Sequence, residues 1–323
     1  MTSIAREWEV WIAQNLLRGA PAGEIVATLR SQGMEEREIA GAIERVRTSP
    51  IFEAARPFAR DARRAAIQGR MRRAMAARGS GIARRSGVSA AELHDVYVAH
   101  NVPVILTDVV TAWPGFGRWT PASLRDRFGD AEIDVTVGRE SDPDYDRNAA
   151  KLTTRMTLRA LVDRIEAGPS NDVYLIARGR ALETGALSAL IDEIAMPEGW
   201  LAMERARGSA QLWLGPEGTV TPLHHDTSNI LFCQVYGRKR WRLIAPHETA
   251  MLDLARSLYS RLDPETDDLD EVRVHDFVLE PGEALFVPLG WWHHVRALDA
   301  SISVALNCFT FPNAFDWYRP GEV

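Results

Sequence analysis

The chain has 323 residues, 46% of them hydrophobic and 25% charged, with a formal net charge of -6. Those proportions are ordinary for a globular enzyme, the acidic balance argues against a protein whose main business is wrapping nucleic acid, and no apolar run approaches a membrane span. The N-terminus lacks the basic-then-apolar pattern of a signal peptide, and Cys233 and Cys308 each sit in an apolar, strand-like run, which predicts free buried thiols and a reducing, cytoplasmic setting.

In chain order, Ile4, Trp8, Trp11, Ile12 and Leu16 recur at helical spacing and stop at Gly19-Ala20-Pro21. Ile25, Val26 and Leu29, then Ile39, Ile43 and Val46, predict two more short helices separated by Gly33. A fourth, longer helix is predicted from Ile51 to about Met75. The stretch Arg56 to Arg85 is strongly basic and nearly unopposed. It reads as a solvated face. The sharper reading, a docking surface for an acidic peptide or RNA, lacks the interleaved aromatics that would stack bases. Residues 1–78 are thus an expected helical accessory module with an Arg-rich last helix, and any homodimer is expected to use these helices through Trp8 and Trp11.

Residues 79–88 read as a Gly/Ser/Arg linker, and Ser89-Ala90-Ala91-Glu92 as a capped helix start that opens a domain over 89–323. Strands at Val104 to Leu106, Ile133 to Val137 and Val173 to Ile176 alternate with helices opened by Thr120-Pro121, at Leu158 to Ile165 and at Leu187 to Ile194. The Arg139 to Arg147 segment, with Asp142, Asp144, Tyr145 and Asp146, has no pattern and is expected as a loop. Beyond Gln211 strands dominate, and the acidic run Asp263 to Glu271 reads as an insertion between them. The predicted fold class is α+β: a double-sheet jelly roll, as in cupins, carrying N-terminal helices.

Two segments carry the chemistry. In Thr221-Pro222-Leu223-His224-His225-Asp226, an extended strand puts His224 and Asp226 on one face and His225 on the other. A third ligand must come from elsewhere, and Trp291-Trp292-His293-His294-Val295, after the apolar run Ala284 to Pro288, offers two adjacent histidines. Two histidines and one carboxylate hold a redox-active iron with coordination sites left open; a closed structural site would take four ligands, usually including Cys. His94, His100, His247 and His275 have no partner at metal spacing. Between the segments, Asn229 to Ile244 reads as two apolar strands joined by a tight turn at Gly237, with Lys239 entering the second. Lysine occurs only at 151 and 239 in a sequence that otherwise uses Arg, and a compact ammonium reaches the end of a narrow pocket that a guanidinium fork does not fit.

Over roughly residues 95 to 312, including Asn101-Val102-Pro103-Val104-Ile105-Leu106, the sequence resembles the JmjC-type, cupin-like Fe(II)/2-oxoglutarate oxygenases, in particular the compact hydroxylases related to the asparaginyl hydroxylase of hypoxia-inducible factor. The resemblance implies His224, Asp226 and His293 as Fe(II) ligands, with His294 beside them as a group that could hydrogen-bond a ligand's free nitrogen. It implies Thr221 and Lys239 as the residues that hold the distal carboxylate of the cosubstrate 2-oxoglutarate, and Tyr174, Asn307 and Asn229 as polar residues lining that pocket, although Ile230 stands where the family's commonest asparagine would. The function it implies is dioxygen-dependent hydroxylation of an amino-acid side group in a peptide or protein, with 2-oxoglutarate decarboxylated to succinate. Hydroxylation of a free amino acid or other small molecule would use the same iron site. N-methyl-lysine demethylation shares the first step, but the sequence shows no histone-reading motif. A non-catalytic metal-binding cupin acting as a sensor or scaffold is the reading outside enzymes.

Overall fold

A computed structural model of the protein describes residues 4–76, 81–183, 185–252, 254–255, 258–270, 272–316 and 318. The protein divides into two compact units, Met1–Gly79 and Ser80–Val323. The first holds four helices, α1 (Arg6–Leu17), α2 (Ala22–Ser31), α3 (Glu36–Arg47) and α4 (Pro50–Ala76). Gly19 and Gly33 follow α1 and α2 with φ of 82° and 80°, the left-handed backbone that ends a helix at little cost only in glycine. Ile12, Ile25, Leu29, Ile39, Ile43 and Phe52 form the core of this unit. Trp8 and Trp11 meet edge to face at 5.8 Å and pack against that same core. Each keeps part of its surface exposed.

The second unit is built on strands β1 (Ala83–Arg85), β2 (Val104–Leu106), β3 (Glu132–Val137), β4 (Thr153–Thr157), β5 (Val173–Tyr174), β6 (Gln211–Gly215), β7 (Val220–His224), β8 (Ile230–Tyr236), β9 (Lys239–Ile244), β10 (Leu254–Ala255), β11 (Tyr259–Ser260), β12 (Val274–Leu279), β13 (Ala284–Val287), β14 (Trp292–Ala297) and β15 (Ser301–Leu306). They form two six-stranded sheets, ordered β1-β2-β13-β8-β15-β6 and β10-β11-β7-β14-β9-β12, and a small sheet β4-β3-β5. Apart from the parallel β1–β2 pair, the ladders are antiparallel. This is the jelly roll read from the sequence. Ser89 accepts a hydrogen bond from the Glu92 N–H and Thr120 one from the Ser123 N–H, so both helix starts are capped as their residues predict.

Several expectations need correction. The segment taken as a linker contains an edge strand, β1, tied down by Arg84 on Glu283 (2.8 Å) and on the Val278 carbonyl (2.7 Å); two of the supposedly unopposed arginines are thus paired, since Arg85 also meets Glu92. The Leu187 to Ile194 helix is a 3-10 helix over Ala186–Glu193. The strand read over Val173 to Ile176 is only two residues long, followed by a bridge from Leu175 to Leu214. β8 and β9 meet at the Gly237 turn as read, but they lie in different sheets. Gly237, at φ 66°, leads the backbone from one six-stranded sheet into the other. The acidic insertion lies between β11 and β12, and its Glu265 is held by Arg242 and Arg296. Cys233 and Cys308 are free and buried, as their apolar neighbours predict.

Candidate active site

β7 and β14 pair antiparallel with His224 opposite His293, and the register slips between His293 and Val295, which faces Thr221. Three residues of β7 thus span two of β14, a bulge centred on Pro222. Proline has no N–H to give to a ladder and is at home at such a break. The consequence for the site is direct: Thr221 and His224, three apart, both face one cavity instead of opposite sides of a sheet. That cavity, about 860 Å³, lies between the two large sheets, walled by Phe232 and Ala305 from one and by Thr221, Lys239, Trp241 and His293 from the other.

His224, Asp226 and His293 offer ligand atoms that all lie within 4.8 Å of one another. The His224 Nδ1 stands 2.8 Å from the Pro222 carbonyl and the His293 Nδ1 3.0 Å from the Trp291 carbonyl. A carbonyl only accepts, so both Nδ1 atoms carry the hydrogen and both Nε2 lone pairs are left for a metal. The His293 Nε2 is 3.5 Å from Asp226 Oδ2. Burial, joined by the neighbouring His224, holds the His293 ring well below its usual range and therefore neutral, the state a ligand needs. Burial also raises the Asp226 carboxyl, opposed by His224 and His225; a cation between the three would restore its charged form.

At another part of the cavity wall, Lys239 opens β9 and is 1% exposed. Its Nζ donates to the Tyr174 hydroxyl at 2.9 Å and lies 5.1 Å from the centre of the Phe232 ring. No carboxylate pairs with it among the described residues, and loss of water pulls its ammonium down to about 7. Burial raises the Tyr174 hydroxyl, which stays neutral and free to accept. A second buried cation, Arg139, donates to the Val220 carbonyl at 2.6 Å and stands 5.3 Å from the centre of the Tyr174 ring. This wall is electrostatically set for an anion.

The structure thus brings together His224, Asp226, His293, Thr221, Lys239 and Tyr174 around one cavity and leaves out three other residues. Asn229 binds Asn313 through its own N–H (2.8 Å) and Nδ2 (2.7 Å) and accepts from the Leu289 N–H, bracing the turn before Trp291 instead of lining the pocket. Asn307 falls one residue past β15 and its carbonyl accepts from Asn313. His294 points to the opposite side of β14 from His293, with its Nε2 3.7 Å from Asp263, so it supports no triad residue. The cluster it forms with Asp263 and Glu265 is not a second cation centre, because Arg242 and Arg296 already occupy the Glu265 carboxylate. His225 turns away from the triad and packs on Trp292 at 4.6 Å.

Sequence reasoning missed three residues. Trp241 stacks on His293, ring centres 5.7 Å apart; its place two residues after Lys239 on the same strand face was the available signal. Tyr259 stacks on His224 at 5.7 Å while donating to Asp146 at 2.8 Å, and Arg139 anchors the loop that brings Asp144 and Asp146 to the cavity rim. Their segments have no periodicity to reveal them.

A family description, the cupin-like domain, matches residues 90–315. Curated relatives include Jumonji C domain-containing protein 5 of Drosophila melanogaster, 29% identical over 63% of this chain and 53% of that protein. Lysine-specific demethylase 8 of Danio rerio is 31% identical over 63% and 52%, and HSPB1-associated protein 1 of Bos taurus 39% identical over 30% and 22%. The chain spans about half the length of the first two. JmjC cupin enzymes use Fe(II) and 2-oxoglutarate, and the residues present fit both: two neutral imidazoles with a carboxylate for the metal, a buried lysine without a carboxylate for the cosubstrate. Matched over well more than half its length, and similar over 63% of it to JmjC proteins, the chain belongs to the cupin-like domain family, among its JmjC members.

Proposed function

We propose that this protein is an Fe(II)- and 2-oxoglutarate-dependent dioxygenase that hydroxylates an aliphatic C–H bond on an amino-acid residue of a peptide or protein. The observation that carries the reading is the presence, in one cavity, of a two-histidine, one-carboxylate cluster and a buried lysine with no carboxylate of its own. His224, Asp226 and His293 would hold the iron, and Thr221, Lys239 and Tyr174 would hold the cosubstrate's distal carboxylate. Iron and 2-oxoglutarate, with dioxygen, supply the oxidising chemistry: decarboxylation to succinate and insertion of an oxygen atom into a substrate C–H bond.

The protein's own part is placement. The Pro222 and Trp291 carbonyls fix both histidine tautomers, Trp241 fixes the plane of His293, and the apolar wall of Phe232, Val287 and Ala305 keeps water away. Asp144, Asp146 and Arg147 at the rim meet the substrate first. A second reading, removal of a methyl group from methyl-lysine, has specific support in relatives named lysine-specific demethylases; it starts from the same C–H hydroxylation and ends in formaldehyde.

The test is anaerobic titration of metal-free protein with Fe(II) and 2-oxoglutarate, following the visible charge-transfer band of the chelate. The band is expected in the parent, weakened in Lys239→Ala and absent in His293→Ala. No band would leave a metal-binding cupin without oxygenase chemistry. With a band in hand, mass spectrometry of peptide products separates a retained oxygen from a lost methyl group.

A further inference from the structure

We propose that Arg139 is a positioning residue for the cosubstrate: its fixed charge, held behind Tyr174, draws the distal carboxylate of 2-oxoglutarate toward Lys239 and selects a dicarboxylic over a monocarboxylic 2-oxo acid. The inference rests on the cosubstrate reading of the cavity. β3 ends at Val137, and Gly138, at φ 82°, turns the chain inward, so that Arg139 is 0% exposed. The guanidinium meets neutral oxygens there. Its Nε donates to the Asn171 carbonyl at 3.0 Å. One terminal nitrogen donates to the Val220 carbonyl at 2.6 Å and to the Asn171 side-chain oxygen at 3.4 Å, and the other to the Thr136 hydroxyl at 3.5 Å. Among the described residues no carboxylate hydrogen-bonds to it, and Asp146 and Asp172 act on it only through their fields. The ring centres of Tyr145 and Tyr174 stand 4.2 Å and 5.3 Å from its central carbon.

These hydrogen bonds do not by themselves call for a charge. Neutral donors would serve the same acceptors, and burying an ion without a counter-ion is costly. What the charge adds is attraction for an anion, and a 2-oxo diacid is the anion that the cavity is read to take. Burial brings Lys239 to about 7; burial lowers Arg139 too, but a guanidinium keeps its proton. The lasting positive charge of this wall is therefore Arg139's. Tyr174 is the link between the two cations, with the Arg139 carbon 5.3 Å and Lys239 Nζ 5.5 Å from its ring centre and its hydroxyl accepting from Lys239 at 2.9 Å. A carboxylate hydrogen-bonded to Lys239 would lie on the order of 10 Å from Arg139. That is too far for contact, yet across a protein interior it is worth about tenfold in affinity. Arg139 also braces the Tyr174 strand, since the Thr136 hydroxyl that accepts from it donates to the Tyr174 carbonyl at 2.9 Å.

Asn171→Asp separates charge from brace. It puts a carboxylate at the side-chain oxygen that already accepts from Arg139, keeping the hydrogen bond and cancelling the charge. Calorimetry on the Mn(II)-loaded protein compares 2-oxoglutarate with 2-oxopentanoate, the same five-carbon keto acid without the distal carboxylate. Asn171→Asp and Arg139→Gln are each expected to weaken 2-oxoglutarate about tenfold and to leave 2-oxopentanoate unchanged. Arg139→Lys, which restores the charge, is expected to recover most of that loss. Equal losses for both keto acids in Arg139→Gln, a lysine variant as weak as the glutamine one, or undiminished 2-oxoglutarate binding in Asn171→Asp would each overturn the inference while leaving the cosubstrate reading in place. A parent protein that binds 2-oxopentanoate as tightly as 2-oxoglutarate would overturn both.

Discussion

Lys239 is an ammonium 1% exposed whose hydrogen-bond partner is the Tyr174 hydroxyl. Loss of water lowers its folded pKa to about 7 against an ordinary 10.5. Between those values the unfolded protein binds a proton that the folded protein does not, so the stability of the cosubstrate-free protein should rise as pH climbs from about 7 toward about 10. Urea unfolding across that range is expected to show the rise, and Lys239→Met to flatten it while being at least as stable as the parent near neutral pH. A carboxylate docked on Lys239 restores the charged form, so 2-oxoglutarate binding above pH 7 should take up a proton. Calorimetry in two buffers of different ionisation enthalpy reads this directly. The same Lys239→Met change is expected to weaken 2-oxoglutarate by about ten- to a hundredfold, the usual loss for a hydrogen bond to a charged group. Unchanged affinity would put the cosubstrate elsewhere.

At the scale of elements, the passage from β8 to β9 sets the position of Lys239. A Cβ at Gly237 would come 2.1 Å from the Ala300 carbonyl oxygen at a backbone φ of 66°. Gly237→Ala is therefore expected to cost about 2 kcal/mol or more in denaturant unfolding and to weaken 2-oxoglutarate binding with it; an unshifted midpoint would mean that the corner is not constrained. The same passage shows what the sequence could convey. Apolar runs identified both strands, but a hairpin and a corner between sheets have the same local residues, so sheet membership was hidden. His224 and Asp226 were legible because strand alternation is local, and His293 through the resemblance. The side chain of Asn229 is held by Asn313, 84 residues away, a partner that no local pattern reveals. Glu265 is a similar case. Burial pushes its carboxyl up, yet the hydrogen bonds of Arg296 and Arg242 outweigh that and bring it to about 2. Its contribution is thus complete above about pH 4.5 and lost as pH falls toward 2. Glu265→Gln is expected to destabilise the protein by about 1–3 kcal/mol at pH 7, with the gap to the parent closing across that acid range.

At the scale of the whole molecule, each unit has its own apolar core, Ile12, Ile25, Leu29 and Ile39 in the first and Leu106, Leu214, Leu231 and Phe286 in the second. A core closed within one unit lets that unit unfold as a unit, so scanning calorimetry is expected to resolve two transitions. Ile39→Ala, in the first core, should lower only the smaller one, by about 2–5 kcal/mol for a buried aliphatic truncation. The three residues proposed to hold the metal all lie in the second unit. Mn(II), a redox-stable surrogate for Fe(II), should therefore raise only the larger transition, by about 4 kcal/mol at a thousandfold excess over its dissociation constant, and His293→Ala should abolish that rise. A metal-induced shift of the smaller transition would mean that the helical module unfolds together with the site; a shift that persists in His293→Ala would mean that the metal binds away from the triad.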